Sequence, residues 1–147
     1  MDIVEYSESL KRPVFEFTSK CFEELGKTFE PADRHAFYND IENHFEGFWC
    51  LADGDIVLGT VAIAKLDDAT AELKALYVDS SLRGEGWGYK LLDTAVSFAR
   101  DKGFARVVLD SMSKYESAAK LYKRYGFTAI SRYNDNAYAD VFMELKL

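Results

Sequence analysis

Arg83-Gly84-Glu85-Gly86-Trp87-Gly88 follows the run Glu72-Leu73-Lys74-Ala75-Leu76-Tyr77-Val78 and precedes a helical pattern that begins at about Tyr89. The run reads as a strand. Glycines at 84, 86 and 88 let the backbone turn sharply and set successive N–H groups around one concavity. A helix starting here adds unpaired N-terminal amides and the positive end of its dipole. Such a place holds phosphate oxygens, and a nucleotide-type pyrophosphate is the ligand it suggests. A plain helix-entry turn is the alternative.

Spacing excludes two familiar phosphate loops. A P-loop ends in Gly-Lys-Ser/Thr, whereas Gly88 is followed by Tyr89 and Lys90. A dinucleotide fingerprint needs a glycine where this chain has Tyr89. What remains is R-x-x-G-x-G, directly after a strand ending in Leu76-Tyr77-Val78.

That pattern resembles the acyl-CoA-binding motif of the GCN5-related N-acetyltransferases, Q/R-x-x-G-x-G/A. A second block, Ser117-Ala118-Ala119-Lys120-Leu121-Tyr122-Lys123-Arg124-Tyr125-Gly126-Phe127, is similar to that family's A-x-x-L-Y-x-x-x-G-F segment. The blocks stand at the customary separation, and the resemblance extends over essentially the whole chain. One departure is Tyr115, where the family often carries Asn three residues before Ala118. It leaves open the contact such an Asn makes to the cofactor.

The resemblance implies a single acetyltransferase domain over residues 1–147. Its expected fold is α/β, a mixed and mostly antiparallel seven-stranded sheet with helices on both faces and a central parallel β-α-β crossover. The implied reaction moves an acetyl group from acetyl-CoA to a primary amine. Backbone amides from Gly84 through Tyr89, Gly86, Trp87 and Gly88 among them, are then the diphosphate donors, with Arg83 opening the loop. The main chain of Leu76 and Val78 pairs with the pantetheine arm, where the family splays this strand from its parallel neighbour. Ala118 is carried over as a cofactor contact. Tyr122 falls on the family's tyrosine beside the CoA sulfur; a packing role on its helix is the alternative. Glu72 stands where some relatives keep a glutamate base. Alternation puts Glu72, Lys74, Leu76 and Val78 on one face of the strand, and a salt bridge with Lys74 competes with the base role. In this fold the first helices and the turn between the last two strands wall the acceptor pocket. That points to Phe45, Trp49 and Tyr133, each of which is otherwise a core residue.

Composition bounds the partners. The chain has 147 residues, with 18 basic and 25 acidic side chains and a net charge of −7. This balance argues against nucleic acid and suits a cationic amine. Cys21 and Cys50 form no C-x-x-C pair and read as buried thiols, with a disulfide or reactive site as the other option. His35 and His44 are too few and too dispersed for a metal cluster, so no metal is expected. No apolar run reaches membrane-spanning length and no signal-peptide pattern opens the chain, which points to a reducing cytoplasm. Relatives often pair as homodimers, and no interface is legible here.

Helical spacing covers Pro13 to about Leu25 and, more weakly, Asp33 to about Asn43. Gly47–Ala52 and Ile56–Leu66 read as a hairpin around Asp53-Gly54-Asp55. A helix follows the glycine loop and ends at Gly103, and a short apolar strand spans Ala105–Asp110. Ser113-x-x-Glu116 reads as a capping box for the helix that ends at Gly126. Strands over Thr128–Tyr133 and about Tyr138–Leu147 close the chain, joined by Asn134-Asp135-Asn136. With a short strand at Ile3–Tyr6, the order is β-α-α-β-β-β-α-β-α-β-β. Three functions are compatible with this reading. They are acetylation of a small-molecule or amino-acid-like amine, acetylation of a protein or peptide, and acyl-CoA binding without turnover.

Overall fold

Apolar residues recurring at helical spacing or in short alternating runs must be buried, and each such segment becomes one layer of an α/β fold. The structure, a computed structural model, describes residues 1–147. Strands β1 (Asp2–Glu5), β2 (Gly47–Asp53), β3 (Ile56–Lys65), β4 (Thr70–Val78), β5 (Arg106–Ser111), β6 (Thr128–Ala129) and β7 (Val141–Lys146) form one sheet ordered β1-β2-β3-β4-β5-β7-β6. Only the β4–β5 pair is parallel. Helix α1 (Lys11–Glu24) and the short α2 (Ile41–His44) cover one face, and α3 (Trp87–Asp101) and α4 (Glu116–Tyr125) cover the other.

Each face has its own core. Val14, Phe17 and Cys21 of α1 meet Tyr38, Ile41, Phe48, Cys50 and Ala62 on one side. Leu91, Leu92, Ala95, Val96 and Ala99 of α3 meet Leu51, Val61, Ile63 and Leu73 on the other. Cys21 and Cys50 are free and buried, and burial pushes their thiols up to about 11 and about 12.

Three segments depart from the sequence pattern. Residues 33–43 form turns, a 3-10 stretch (Ala36–Asp40) and one turn of α2, not a single helix. Here Asn39 Nδ2 donates back to the Pro31 carbonyl at 2.6 Å, a side-chain bond that competes with a helical ladder. The strand expected at Thr128–Tyr133 stops at Ala129 because the following side chains bind elsewhere. Arg132 donates to the carbonyls of Asn136 and Ala139 at 2.9 and 2.8 Å, tying residues 132–139 into a loop of their own. The capping box at Ser113 is not formed. Tyr115 caps α4, while the Ser113 N–H and Oγ both donate to Asp140, at 2.7 and 2.6 Å.

Asp79 joins the end of β4 to α1. It is 6% exposed, caps the 3-10 turn Ser80–Leu82, and accepts from Ser81 Oγ at 2.7 Å, Ser81 N–H at 2.9 Å and Lys20 Nζ at 3.0 Å. The Ser81 donors, then Lys20, hold its carboxyl down at about 2. Because this lies below the ordinary 3.8, the stabilisation is complete above pH 3.8 and lost as pH falls through 2. Asp79→Asn should lower the melting temperature at neutral pH and flatten its fall in acid. Parallel melting curves for variant and wild type would remove Asp79 from acid stability.

Candidate functional site

The glycine loop forms a row of free donors. Gly84 and Gly86 sit at φ 80° and 81°, left-handed conformations that other residues adopt at a cost, and Gly86 caps α3 with no side chain over its amides. Glu85 N–H bonds the Leu82 carbonyl and Lys90 N–H bonds that of Gly86. Between and beside them, the N–H groups of Gly84, Gly86, Trp87, Gly88 and Tyr89 have no protein acceptor. Nothing lies within 4 Å of a Cβ built on Gly84 or Gly86, so the row is open. Gly88 differs, because its added Cβ would stand 3.3 Å from Leu121 Cδ2, where α3 approaches α4. Cationic side chains border the row. Arg83 is exposed, Lys90 Nζ lies 4.3 Å over the Trp87 ring, and the Arg124 guanidinium lies 5.3 Å over Tyr89. Five amides, a helix dipole and these cations fit a diphosphate.

Beside the loop the sheet opens. β4 and β5 pair only at Thr70↔Arg106, Ala71↔Val107 and Glu72↔Val108. Past Glu72 the strands diverge, so Leu73–Val78 have no sheet neighbour on that side. Farther along, β4 carries an extra residue. Its register against β3 shifts between Thr60 and Ala62, Ala75 sits at φ 55°, and Thr60 Oγ1 donates to the Ala75 carbonyl at 2.7 Å. This bulge reverses the alternation. Opposite Ala64 and Ala62, Glu72 and Lys74 face the α1 side; beyond the bulge Ala75 and Tyr77 do so, while Leu76 and Val78 pack toward α3. The expectation that Glu72, Lys74, Leu76 and Val78 share a face is therefore corrected, the extra residue at Ala75 being the reason.

On the α3 side of this opening, Tyr122 is 7% exposed, with its ring 5.9 Å from Phe127. Burial, then the charge of Asp110, pushes its hydroxyl up to about 12. Ala118, one turn earlier on α4, is half-buried against the same core. Tyr115, at the position where the family often carries Asn, places its ring 5.2 Å from Lys27 Nζ, and its buried hydroxyl has no partner.

On the α1 side, Glu72 is 5% exposed and sits where strand pairing ends. Tyr133 Oη donates to its Oε2 at 2.6 Å, and Lys74 Nζ stands 3.2 Å from its Oε1. The salt bridge with Lys74 is therefore present, at the residue where β4 and β5 stop pairing. Burial, then Glu72, raises the Tyr133 hydroxyl well above its ordinary value, so Tyr133 remains a donor. Asp110, absent from the sequence-based candidates, is the last but one residue of β5 and accepts from Asn134 and Asn136 at 2.6 and 3.4 Å, both on Oδ2. A carboxylate closing the apolar run Val107-Val108-Leu109 was its one sequence signal.

Trp49 is not brought to this place. It stands on β2 with β3 intervening, and its ring packs on the α3 side at 4.9 Å from Phe98. Phe45 packs against Phe48 at 5.6 Å in the α1-side core. Together they line a shallow concavity of about 280 Å³ that lies away from the opening. Of the expected acceptor wall, only Tyr133 lies beside Glu72.

Residues 12–127 match the profile of the acetyltransferase (GNAT) family. The chain is 31% identical to an uncharacterized N-acetyltransferase, YsnE, of Bacillus subtilis, over 68% of this chain and 69% of that protein. It is 39% identical to human N-acetyltransferase 8B, over 54% of this chain and 37% of that protein. The chain thus spans well under half the length of that relative. A GNAT-family acetyltransferase structure from Staphylococcus aureus Mu50 superposes with a TM-score of 0.88 at 24% identity, covering 99% of this chain and 98% of the other. An acetyltransferase called yncA from Salmonella typhimurium, whose structure holds its cofactor acetyl-CoA, superposes at 0.78 with 20% identity, covering 99% and 93%. With the glycine-loop donors, the sheet opening and both sequence blocks in one fold, the chain belongs to the GNAT family of acetyltransferases.

Proposed function

We propose that this chain transfers an acetyl group from acetyl-CoA to the primary amine of a small-molecule or amino-acid-like acceptor. The observation that carries the reading is the row of unpaired amides from Gly84 to Tyr89, set beside strands that part after Glu72. Acetyl-CoA supplies the activated thioester. The chain supplies donors, orientation and proton handling. The loop amides and their cations hold the diphosphate. The main chain of Leu76 and Val78, free on the β5 side, can bond the pantetheine amides, and one well-aimed N–H at the carbonyl oxygen is worth about 3 kcal/mol of barrier. An alkyl ammonium titrates at about 10 and must lose a proton before it attacks. In this reading Glu72, through water, takes that proton, and Tyr122 bonds the departing sulfur.

Free-thiol release over a panel of amines and peptides tests the reaction. Release with small amines supports this reading, and release with peptides alone overturns the small-acceptor assignment. The loop has its own test. Gly86→Ala forces a Cβ into a left-handed residue, at about 1–2 kcal/mol. If the loop relaxes away from that strain, acetyl-CoA affinity falls about tenfold. Calorimetry reads the change, and unaltered affinity would remove Gly86 from the cradle.

A further inference from the structure

Lys27, just past α1, holds a charge that no protein group neutralises. Its Nζ lies 5.2 Å from the Phe22 ring centroid, 5.8 Å from that of Tyr77 and 5.2 Å from that of Tyr115. These rings come from α1, from the β4 segment beyond the bulge, and from the cap of α4. Lys27 is half-buried, and desolvation lowers its pKa. No carboxylate forms an ion pair with it. Asp110, across the opening, is near enough for its charge to act on Lys27, yet the two do not touch. Asp110 Oδ2 takes both asparagine donors, which leaves Oδ1 without a partner. The buried Tyr115 hydroxyl is likewise unused.

A flexible lysine and an aspartate this close would ordinarily close into a salt bridge, because each is partly desolvated. Here the ammonium stands over three aromatic rings and no such bridge forms. The result is a free cation and, within reach of its charge, a free carboxylate oxygen. Glu72 and Tyr133 lie on the carboxylate side. A zwitterion matches this arrangement, with its ammonium toward Asp110 and Glu72 and its carboxylate toward Lys27.

We propose that Lys27 seats the acceptor's carboxylate, so that the acceptor is a free α-amino acid or a close derivative with its carboxylate intact. This rests on the acetyl-transfer reading and narrows its substrate class. Phosphate groups are held by the glycine loop on the α3 side of the sheet, whereas Lys27 lies on the α1 side with Tyr77.

The test compares the standard α-amino acids, each against its own carboxamide, by thiol release at neutral pH. An α-amine beside an amide titrates at about 8, so the carboxamides carry more of the reactive neutral amine. A preference for the acid therefore runs against intrinsic reactivity. Wild type should favour the acid by about tenfold or more in kcat/KM, a factor within reach of one charged hydrogen bond. Lys27→Gln should abolish the preference chiefly through KM, and Lys27→Arg should keep most of it. Equal use of acid and carboxamide by wild type overturns the proposal, as does a preference that survives Lys27→Gln. A wild-type protein that binds acetyl-CoA by calorimetry but acetylates neither member of any pair overturns the carboxylate seat, while turnover of other amines would still uphold transfer. Failure to bind acetyl-CoA overturns both.

Discussion

Tyr122→Phe is expected to lower kcat about ten- to a hundredfold while leaving acetyl-CoA affinity near that of wild type. The hydroxyl stands at about 12, raised by burial and then by Asp110, and is therefore protonated throughout the working range. A free alkyl thiol titrates at about 8.5, so complete transfer of this proton to the thiolate is uphill by about 3.5 units, or about 5 kcal/mol. In the proposed reaction the phenol therefore shares its proton with the sulfur as charge builds there, and the amine's proton completes the balance. A hydrogen bond to a charged partner is worth about 1.5–3 kcal/mol, which corresponds to the stated loss. The ring survives in the variant and still packs on Phe127, so the effect belongs to kcat. Steady-state thiol release with calorimetric acetyl-CoA binding reads both quantities. An unaltered kcat removes Tyr122 from the chemistry.

Glu72→Gln is expected to cost about a hundredfold in kcat/KM, the lower end of what a positioned base contributes. The carboxylate is held by Tyr133 Oη on one oxygen and Lys74 Nζ on the other, and its remaining lone pairs can accept from water. A carboxylate can take up the amine's proton and the neutral amide of glutamine cannot. The glutamine variant should therefore turn over slowly while keeping acetyl-CoA affinity. An unaltered kcat/KM would retire Glu72 as the base. The amide oxygen of the substituted side chain can still accept from Tyr133, so the local hydrogen bond persists and unfolding is not the expected outcome.

The parts that could be read from the chain are those whose cause is local. The glycine loop, the faces of α1, α3 and α4 and the β2–β3 hairpin follow from spacing within a few residues of each other. The two blocks that hold Arg83 and Tyr122 carried the family resemblance, and with it the sheet opening. The bulge was not legible, because no glycine or asparagine marks the left-handed residue and Ala75 reads as ordinary strand. With the bulge unseen, simple alternation assigned Leu76 and Val78 to the wrong face. The separation of Trp49 from the opening was not legible either, because strand order, a long-range property, puts β3 between it and β4. The loop after β6 depends on where Arg132, Tyr133 and Asn134 find partners, and those partners lie up to 61 residues away in sequence. Lys27 carries no signature at all, since its isolation exists only once three rings surround it.

The phase slip at Ala75 bears on how this protein can change. A strand whose halves are half a repeat apart presents charged groups to one wall of a slot and greasy groups to the other. Losing or gaining a single codon there would turn the downstream half inside out, sending Tyr77 into the packing beneath the long helix. Selection for a different acceptor is thus channelled to the surrounding connectors, where length can drift without inverting the scaffold.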